Sequence, residues 1–119
     1  MKKVIFYLYD GKQSEIIDYL KKLEFKADKT SRINSNKIYE YIDILSRYGI
    51  SCKEPFVKYL GNKIWELRPL KHRITFYEDK DCYVLLTHFI KKTRRTPNGE
   101  IERTNKYLIR YLGGKDNDE

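Results

Sequence analysis

The segment that most restricts the possible folds is CYVLLTHFIKK, residues 82 to 92. It is apolar on both faces for most of its length, which is the pattern of a central strand. A central strand needs neighbours, and two candidates come directly before it. In IWELR, Ile64, Glu66 and Arg68 alternate with Trp65 and Leu67; in RITFYE, Ile74 and Phe76 alternate with Arg73, Thr75 and Tyr77. The short connection from Pro69 to His72 and the acidic link Glu78-Asp79-Lys80-Asp81 both suit antiparallel pairing. A fourth strand is predicted in KVIFYLY, residues 3 to 9, stopped by the Asp10-Gly11 turn.

Two helical patterns lie between the first strand and the others. From Ser14, a candidate N-cap, Ile16, Leu20 and Leu23 recur with Ile17 beside them. After a polar stretch in which Ser31, Asn34, Ser35 and Asn36 are turn or cap candidates, NKIYEYIDILSRYG repeats Ile38, Tyr41, Ile42 and Leu45 before a Gly49 stop. Residues 50 to 61, with Pro55 and Gly61, read as a connecting loop with one turn around Phe56 to Leu60. At the far end, Thr96-Pro97 supplies a cap and a first-turn proline. Ile101, Leu108 and Leu112 then fall on one side of a helix, and Arg103, Lys106 and Arg110 on the other. Gly99 weakens its first turn by about 1 kcal/mol. Gly113-Gly114 is its expected end, leaving residues 115 to 119 as an acidic tail expected to be disordered.

The expectation is one α+β domain over residues 1 to 114. It has a small antiparallel or mixed four-stranded sheet, two helices after strand 1, a C-terminal helix, and helices covering one sheet face. A chain of 119 residues with 40% hydrophobic content suffices for one modest core without metal or disulfide staples. Cys52 and Cys82 form no metal-ligand or CxxC spacing. The start, MKKVIFYLYDGK, lacks a small-residue cleavage site, and no apolar stretch approaches membrane-spanning length, so a cytoplasmic protein is expected.

Charge is where composition speaks about partners. Twenty-five Lys and Arg against 17 Asp and Glu give a formal charge of +8. The excess is local: Lys91, Lys92, Arg94, Arg95, Arg103, Lys106 and Arg110 share a window with only Glu100 and Glu102. Arg68 and Arg73 lie near the two ends of a strand connection, and Lys91 and Lys92 at the end of the central strand. Adjacent strands are about 5 Å apart, so such cations can converge on one phosphate. A polyanion, most economically nucleic acid, is the expected partner. The simpler assignment pairs Arg68 with Glu66 or an acidic residue elsewhere and Arg73 with Glu78 or Asp79, and makes KKTRRTPNG a solvated turn. A DNA-binding helix pair is disfavoured, because it lacks a convincing basic recognition helix and the cations concentrate on the sheet edge and last helix.

Cleavage needs a proton handler as well as cations. RNA carries its own nucleophile in the 2'-hydroxyl, and no HExxH or clustered-carboxylate pattern is present, so a metal-free route is the economical one. Candidates are His72, expected exposed in a loop, His88, on the strand face of Leu86 and Ile90, and Tyr77, Tyr83 and the lysines. Trp65 shares a face with Leu67 and reads as core more readily than as a base-stacking platform.

At IWELRP, RITFY, LLTHFIKKTRRTP and GEIER, from about Tyr41 through Arg103, the chain resembles the RelE/ParE toxin superfamily, and within it the HigB-like, phage-derived branch. The resemblance implies a toxin of a type II toxin–antitoxin pair: a metal-independent, cofactor-free endoribonuclease cutting messenger RNA in the ribosomal A site. Its implied partners are a cognate antitoxin, messenger RNA and the ribosome, with no membrane. By the same resemblance Arg68, Arg73 and Lys92 hold the scissile phosphate, Lys91 or a neighbouring base assists proton transfer, and Glu66 orients a cation. Thr93 closes the central strand, while Pro97 and Glu100 match the start of the last helix. Arg94, Arg95, Arg103, Lys106 and Arg110 extend the basic surface. The alternative is a non-catalytic inhibitory protein on the same scaffold, directed at DNA gyrase or another protein, or holding RNA without cutting it. One departure stands out: relatives read L-L-H-G-F where this chain has Leu85-Leu86-Thr87-His88-Phe89, which in a regular strand moves the His to the other face.

Overall fold

The computed structural model describes residues 2–117, with side chains as far as Gly114. Its elements run β1 (Lys3–Phe6), α1 (Glu15–Lys26), α2 (Lys29–Tyr48), a short 3-10 turn, β2 (Val57–Gly61), β3 (Ile64–Leu67), β4 (His72–Glu78), β5 (Cys82–Ile90) and α3 (Asn98–Asn117). The α+β class holds, but the sheet has five strands where four were expected, ordered β1-β5-β4-β3-β2. It is mixed: β1 runs parallel to β5, and the other pairs are antiparallel.

The additional strand is the segment read as a loop. Asn62 and Lys63 both take positive φ, 54° and 63°, the geometry of a two-residue hairpin turn whose twist matches its strands. That turn folds Val57–Gly61 back along β3, with Val57 opposite Leu67 and wholly buried.

The helix pair begins as expected and then departs. Ser14 caps α1 by accepting from the backbone N–H of Ile16 and Ile17, both at 3.2 Å. Asp28, not one of the later Ser or Asn residues, caps α2 by accepting from Ser31 N–H at 2.7 Å. Ser31, Asn34, Ser35 and Asn36 therefore lie inside a twenty-residue helix. Asn34 and Ser35 return their side-chain hydrogens to carbonyls one turn back, at Thr30 and Arg32. Gly49 does end α2, with φ of 60°, where an added Cβ would run into the Tyr83 hydroxyl.

Helices cover both faces of the sheet. Ile16, Leu20, Leu23, Ile38 and Leu45 from α1 and α2 pack on Leu67, Ile74, Phe76 and Leu85. Leu108 of α3, with Tyr107, Tyr111 and Leu112, packs on Ile64, Val84 and Leu86 of the opposite face. The expectation of helices on one face only is thus corrected, and the reason is that both-faced apolar β5. Pro97 lies just outside α3, its carbonyl accepting from Glu100 and Ile101, so it takes the cap position assigned to Thr96. Gly113-Gly114 does not stop α3, which continues to Asn117; among the described residues, a Cβ at either glycine would meet nothing within 4 Å. Residues 118 and 119 of the expected tail lie outside the described residues.

A bulge in β5 decides which side chains face which layer. Thr75 pairs with Thr87 and Phe76 with Leu85, leaving Leu86 as the extra residue. Leu86 and Thr87 both face α3, where the Thr87 hydroxyl lies 3.0 Å from that of Thr104. His88 consequently turns to the α1/α2 face with Leu85, not with Leu86.

Candidate functional site

The cationic cluster is built on the β3–β4 hairpin. Glu66 pairs with Thr75 and Leu67 with Ile74, so strand alternation brings Glu66, Arg68 and Arg73 to one face at the end of the hairpin where residues 68 to 71 connect its strands. Glu66 and Arg73 are buried, at 3% and 6% exposure. The Nε atoms of Arg68 and Arg73 each lie 3.6 Å from Glu66 Oε1. Arg68 thus pairs with Glu66 as anticipated, whereas Arg73 pairs with Glu66 and not with Glu78 or Asp79, which accept from Trp65 Nε1 at 3.2 Å and from Tyr111 at 2.8 Å.

One carboxylate cannot neutralise two guanidiniums. Arg73 Nη1 donates to the carbonyls of Leu70 and His72, at 2.9 and 2.7 Å, which fixes its plane. Burial, with Arg68 beside it, holds its pKa below the usual arginine value despite Glu66. The Arg68 Nε is buried without a hydrogen-bond partner. A buried donor without an acceptor next to an uncompensated positive charge is an arrangement that favours an incoming anion.

The loop after β5 closes over Glu66 and Arg73, while Arg68 does not line the space beneath it. Lys91 N–H donates to Lys71 O at 2.7 Å, Thr93 Oγ1 donates to Arg95 O at 2.7 Å, and Thr96 Oγ1 donates to Glu66 Oε2 at 2.8 Å. Glu66 therefore holds the two arginines with one oxygen and the loop with the other. Residues 91 to 97 line a small hollow with Glu66, Arg73 and Phe89. Its enclosed space of about 10 Å³ is on the scale of a single water. An anion as large as phosphate would have to rest at its mouth, where Lys91, Lys92, Arg94 and Arg95 are exposed.

The remaining predicted residues divide. Arg103 is pinned between the carboxylates of Glu15 on α1 and Glu100 on α3, and its Nη2 also reaches His88 O at 3.3 Å. Burial opposes its charge, but the hydrogen bonds it donates to Glu15 and Glu100 outweigh that and raise its pKa. It faces inward, against its expected place on the solvent stripe with Lys106 and Arg110, which are exposed. Pro97 borders the hollow, and Glu100 serves as half of the Arg103 clamp.

The histidines are elsewhere. His72 opens β4 and is wholly buried, where an exposed loop residue was expected. Its Nε2 donates to Asn34 Oδ1 at 3.1 Å, which leaves Nδ1 to accept from His88 Nε2 at 3.3 Å. Tyr19 of α1 stacks on His88 with centroids 3.9 Å apart. Burial, then the neighbouring His72, pushes His88 down to about 4, and burial also lowers His72. Both rings belong to the α1/α2 face, away from the cationic hollow. Tyr83 accepts from Ile50 N–H at 3.2 Å and Tyr77 packs in the α3 layer, so neither borders the hollow. Trp65 packs against the core between Tyr59 and Phe76. The titratable groups that line the hollow, among the described residues, are Glu66, Arg73, Lys91, Lys92, Arg94 and Arg95.

Two participants had no site signal in the sequence. Thr96 read as a helix cap and is instead the tether to Glu66; Glu15, on the first turn of α1, reaches 88 residues along the chain to Arg103. Among the described residues, no helix is long and apolar enough to cross a membrane.

The fold and site together define a small mixed-sheet α+β domain with a cationic cluster seated on a β-hairpin. Residues 18–108 match the family described as Phage derived protein Gp49-like (DUF891), a span that contains the whole cluster. The chain belongs to that phage-derived Gp49-like family. No curated protein matches it.

Proposed function

We propose that the protein is the toxin of a type II toxin–antitoxin pair and acts as a metal-independent endoribonuclease on messenger RNA, with the ribosome presenting the substrate. The observation that carries this reading is the convergence of Arg68 and Arg73 on the single carboxylate of Glu66 beneath a loop bearing Lys91, Lys92, Arg94 and Arg95. The motif resemblance to HigB-like toxins supports the same reading.

In this reading a backbone phosphate rests at the mouth of the hollow. The 2'-oxygen of the preceding ribose forms a new bond to phosphorus as the bond to the 5'-oxygen breaks, giving a 2',3'-cyclic phosphate and a 5'-hydroxyl. Arg68, Arg73 and Lys92 balance the charge that builds on the phosphoryl oxygens. Lys91 or a neighbouring base assists removal of the 2'-hydroxyl proton, and the 5'-oxygen takes one from Lys92 or water. Glu66 orients the guanidiniums and does not itself transfer a proton. A cytoplasmic location, a cognate antitoxin and no membrane partner complete the proposal.

One observation favours the competing reading. Neither imidazole borders the hollow, so its lining offers no histidine for proton transfer. The same surface would suit a non-catalytic inhibitor of DNA gyrase or another protein, or an RNA binder. Primer-extension mapping of a defined messenger RNA, with and without programmed ribosomes, separates the two. Discrete cuts that require ribosomes support the nuclease. No cuts from a folded protein that still arrests growth transfer the argument to the inhibitor.

A further inference from the structure

Beside the cationic hollow lies a second recess of different character. It is an open space of about 380 Å³, walled by His88, Phe89, Ile90 and Pro97, with Lys92 and Glu100 at its rim. It shares Phe89, Lys92 and Pro97 with the hollow, so the two adjoin. Ile90 is 38% exposed and Pro97 is exposed as well, an apolar surface set directly against the most cationic stretch of the chain.

We infer that this recess seats a nucleobase of the RNA strand whose phosphate rests at the cationic hollow. The inference rests on the reading of that hollow as an RNA site and adds to it the part of the nucleotide that the arginines cannot hold. A second phosphate does not suit the recess, because its walls are apolar and Glu100 contributes a carboxylate. A base does suit it, because a planar ring offers a π-face to Phe89, Ile90 and Pro97 while its sugar stays in the open.

The edge of β5 also supplies polar groups for the rim of such a ring. β1 pairs with β5 only as far as Leu85, which leaves the stretch beyond it as a free edge. At His88 the outward N–H donates to Glu15 Oε1 and the outward C=O accepts from Arg103. Alternation turns the N–H and C=O of Ile90, two residues on, the same way. A donor and an acceptor from one residue then stand at the recess, a pairing that matches the polar edge of a base and leaves the side-chain walls to stacking.

The test compares two uncleavable probes of equal charge by fluorescence anisotropy at low salt: a 2'-O-methyl octanucleotide and an eight-unit tetrahydrofuran-phosphate backbone without bases. The base-bearing probe should bind about tenfold more tightly, the order of one stacked base. Ile90→Ala, and separately Phe89→Leu, should cut that advantage at least threefold, and Ile90→Ala should leave binding of the base-free probe unchanged. Equal affinity for the two probes, with both lost in Arg94→Ala/Arg95→Ala, overturns the base seat and leaves the phosphate site intact. An advantage that survives both substitutions overturns it too, since bases are then held elsewhere. Binding of neither probe removes the RNA reading of the hollow and the base seat with it.

Discussion

Two buried polar clusters occupy the same end of the sheet on opposite faces, and they resolve burial in opposite ways. On the α1/α2 face, His72, His88 and Asn34 form a closed chain in which each donor meets an acceptor, and the imidazoles are held neutral. On the other face, Glu66, Arg68 and Arg73 bury more positive than negative charge and leave the Arg68 Nε without an acceptor. The first arrangement is complete within the chain. The second is left with a positive excess and an open donor, which suits an added anion. A buried group that finds its partner inside the protein is holding the fold together; one that does not is the better candidate for function.

The comparison can be broken from either side. The largest effect is expected for Arg73→Ala, which removes the guanidinium fixed by Leu70 and His72: RNA cleavage should fall about 10²- to 10³-fold. Single-turnover rates on the ribosome measure it, with circular dichroism to check folding. Glu66→Ala should cost about 3 kcal/mol in urea unfolding, because it strands two guanidiniums and releases the Thr96 tether together. A loss near zero would mean that the arginines do not depend on Glu66.

Acid should undo the other cluster. The folded pKa values of His72 and His88 are depressed, so the unfolded chain binds more protons as pH falls below about 6.5, the ordinary histidine value. Stability is therefore unaffected by this pair above that pH and declines as pH falls toward about 4, by an amount on the order of 3 kcal/mol for His88. Urea unfolding at pH 7, 5.5 and 4.5 should show the decline, and His88→Asn should flatten it. Smaller again is Thr96→Val, expected to cost about 1 kcal/mol through the lost hydrogen bond to Glu66. The smallest is Arg94→Ala, which should leave stability unchanged and lower the salt dependence of RNA binding by about one phosphate's worth.

How much of this was legible in the sequence follows from which signals are local. Alternation in IWELR and RITFYE was enough to align β3 with β4 and bring Glu66, Arg68 and Arg73 together. It failed at Val57–Gly61, where five residues between Pro55 and Gly61 resemble a loop until the Asn62-Lys63 turn lays them on β3. It failed again at Leu86, because a bulge within a run apolar on both faces leaves no mark in the pattern; only the structure turns His88 toward His72. The start of α2 was hidden by Ser and Asn residues whose cap preference yields to the Asp28 cap and to burial of Ser31 and Ser35. Arg103 read as part of a solvent-facing stripe because Glu15, which pins it, lies at the other end of the sequence.

The central claim is that the cationic hollow, and not the histidine pair, carries the activity. Messenger RNA cleavage on programmed ribosomes by Lys92→Ala, Arg73→Lys and His88→Asn proteins, each verified as folded near neutral pH, tests it most directly. Cleavage reduced at least tenfold by the first two and kept by the third is the expected result. Cleavage abolished by His88→Asn but retained by Lys92→Ala and Arg73→Lys would contradict the account.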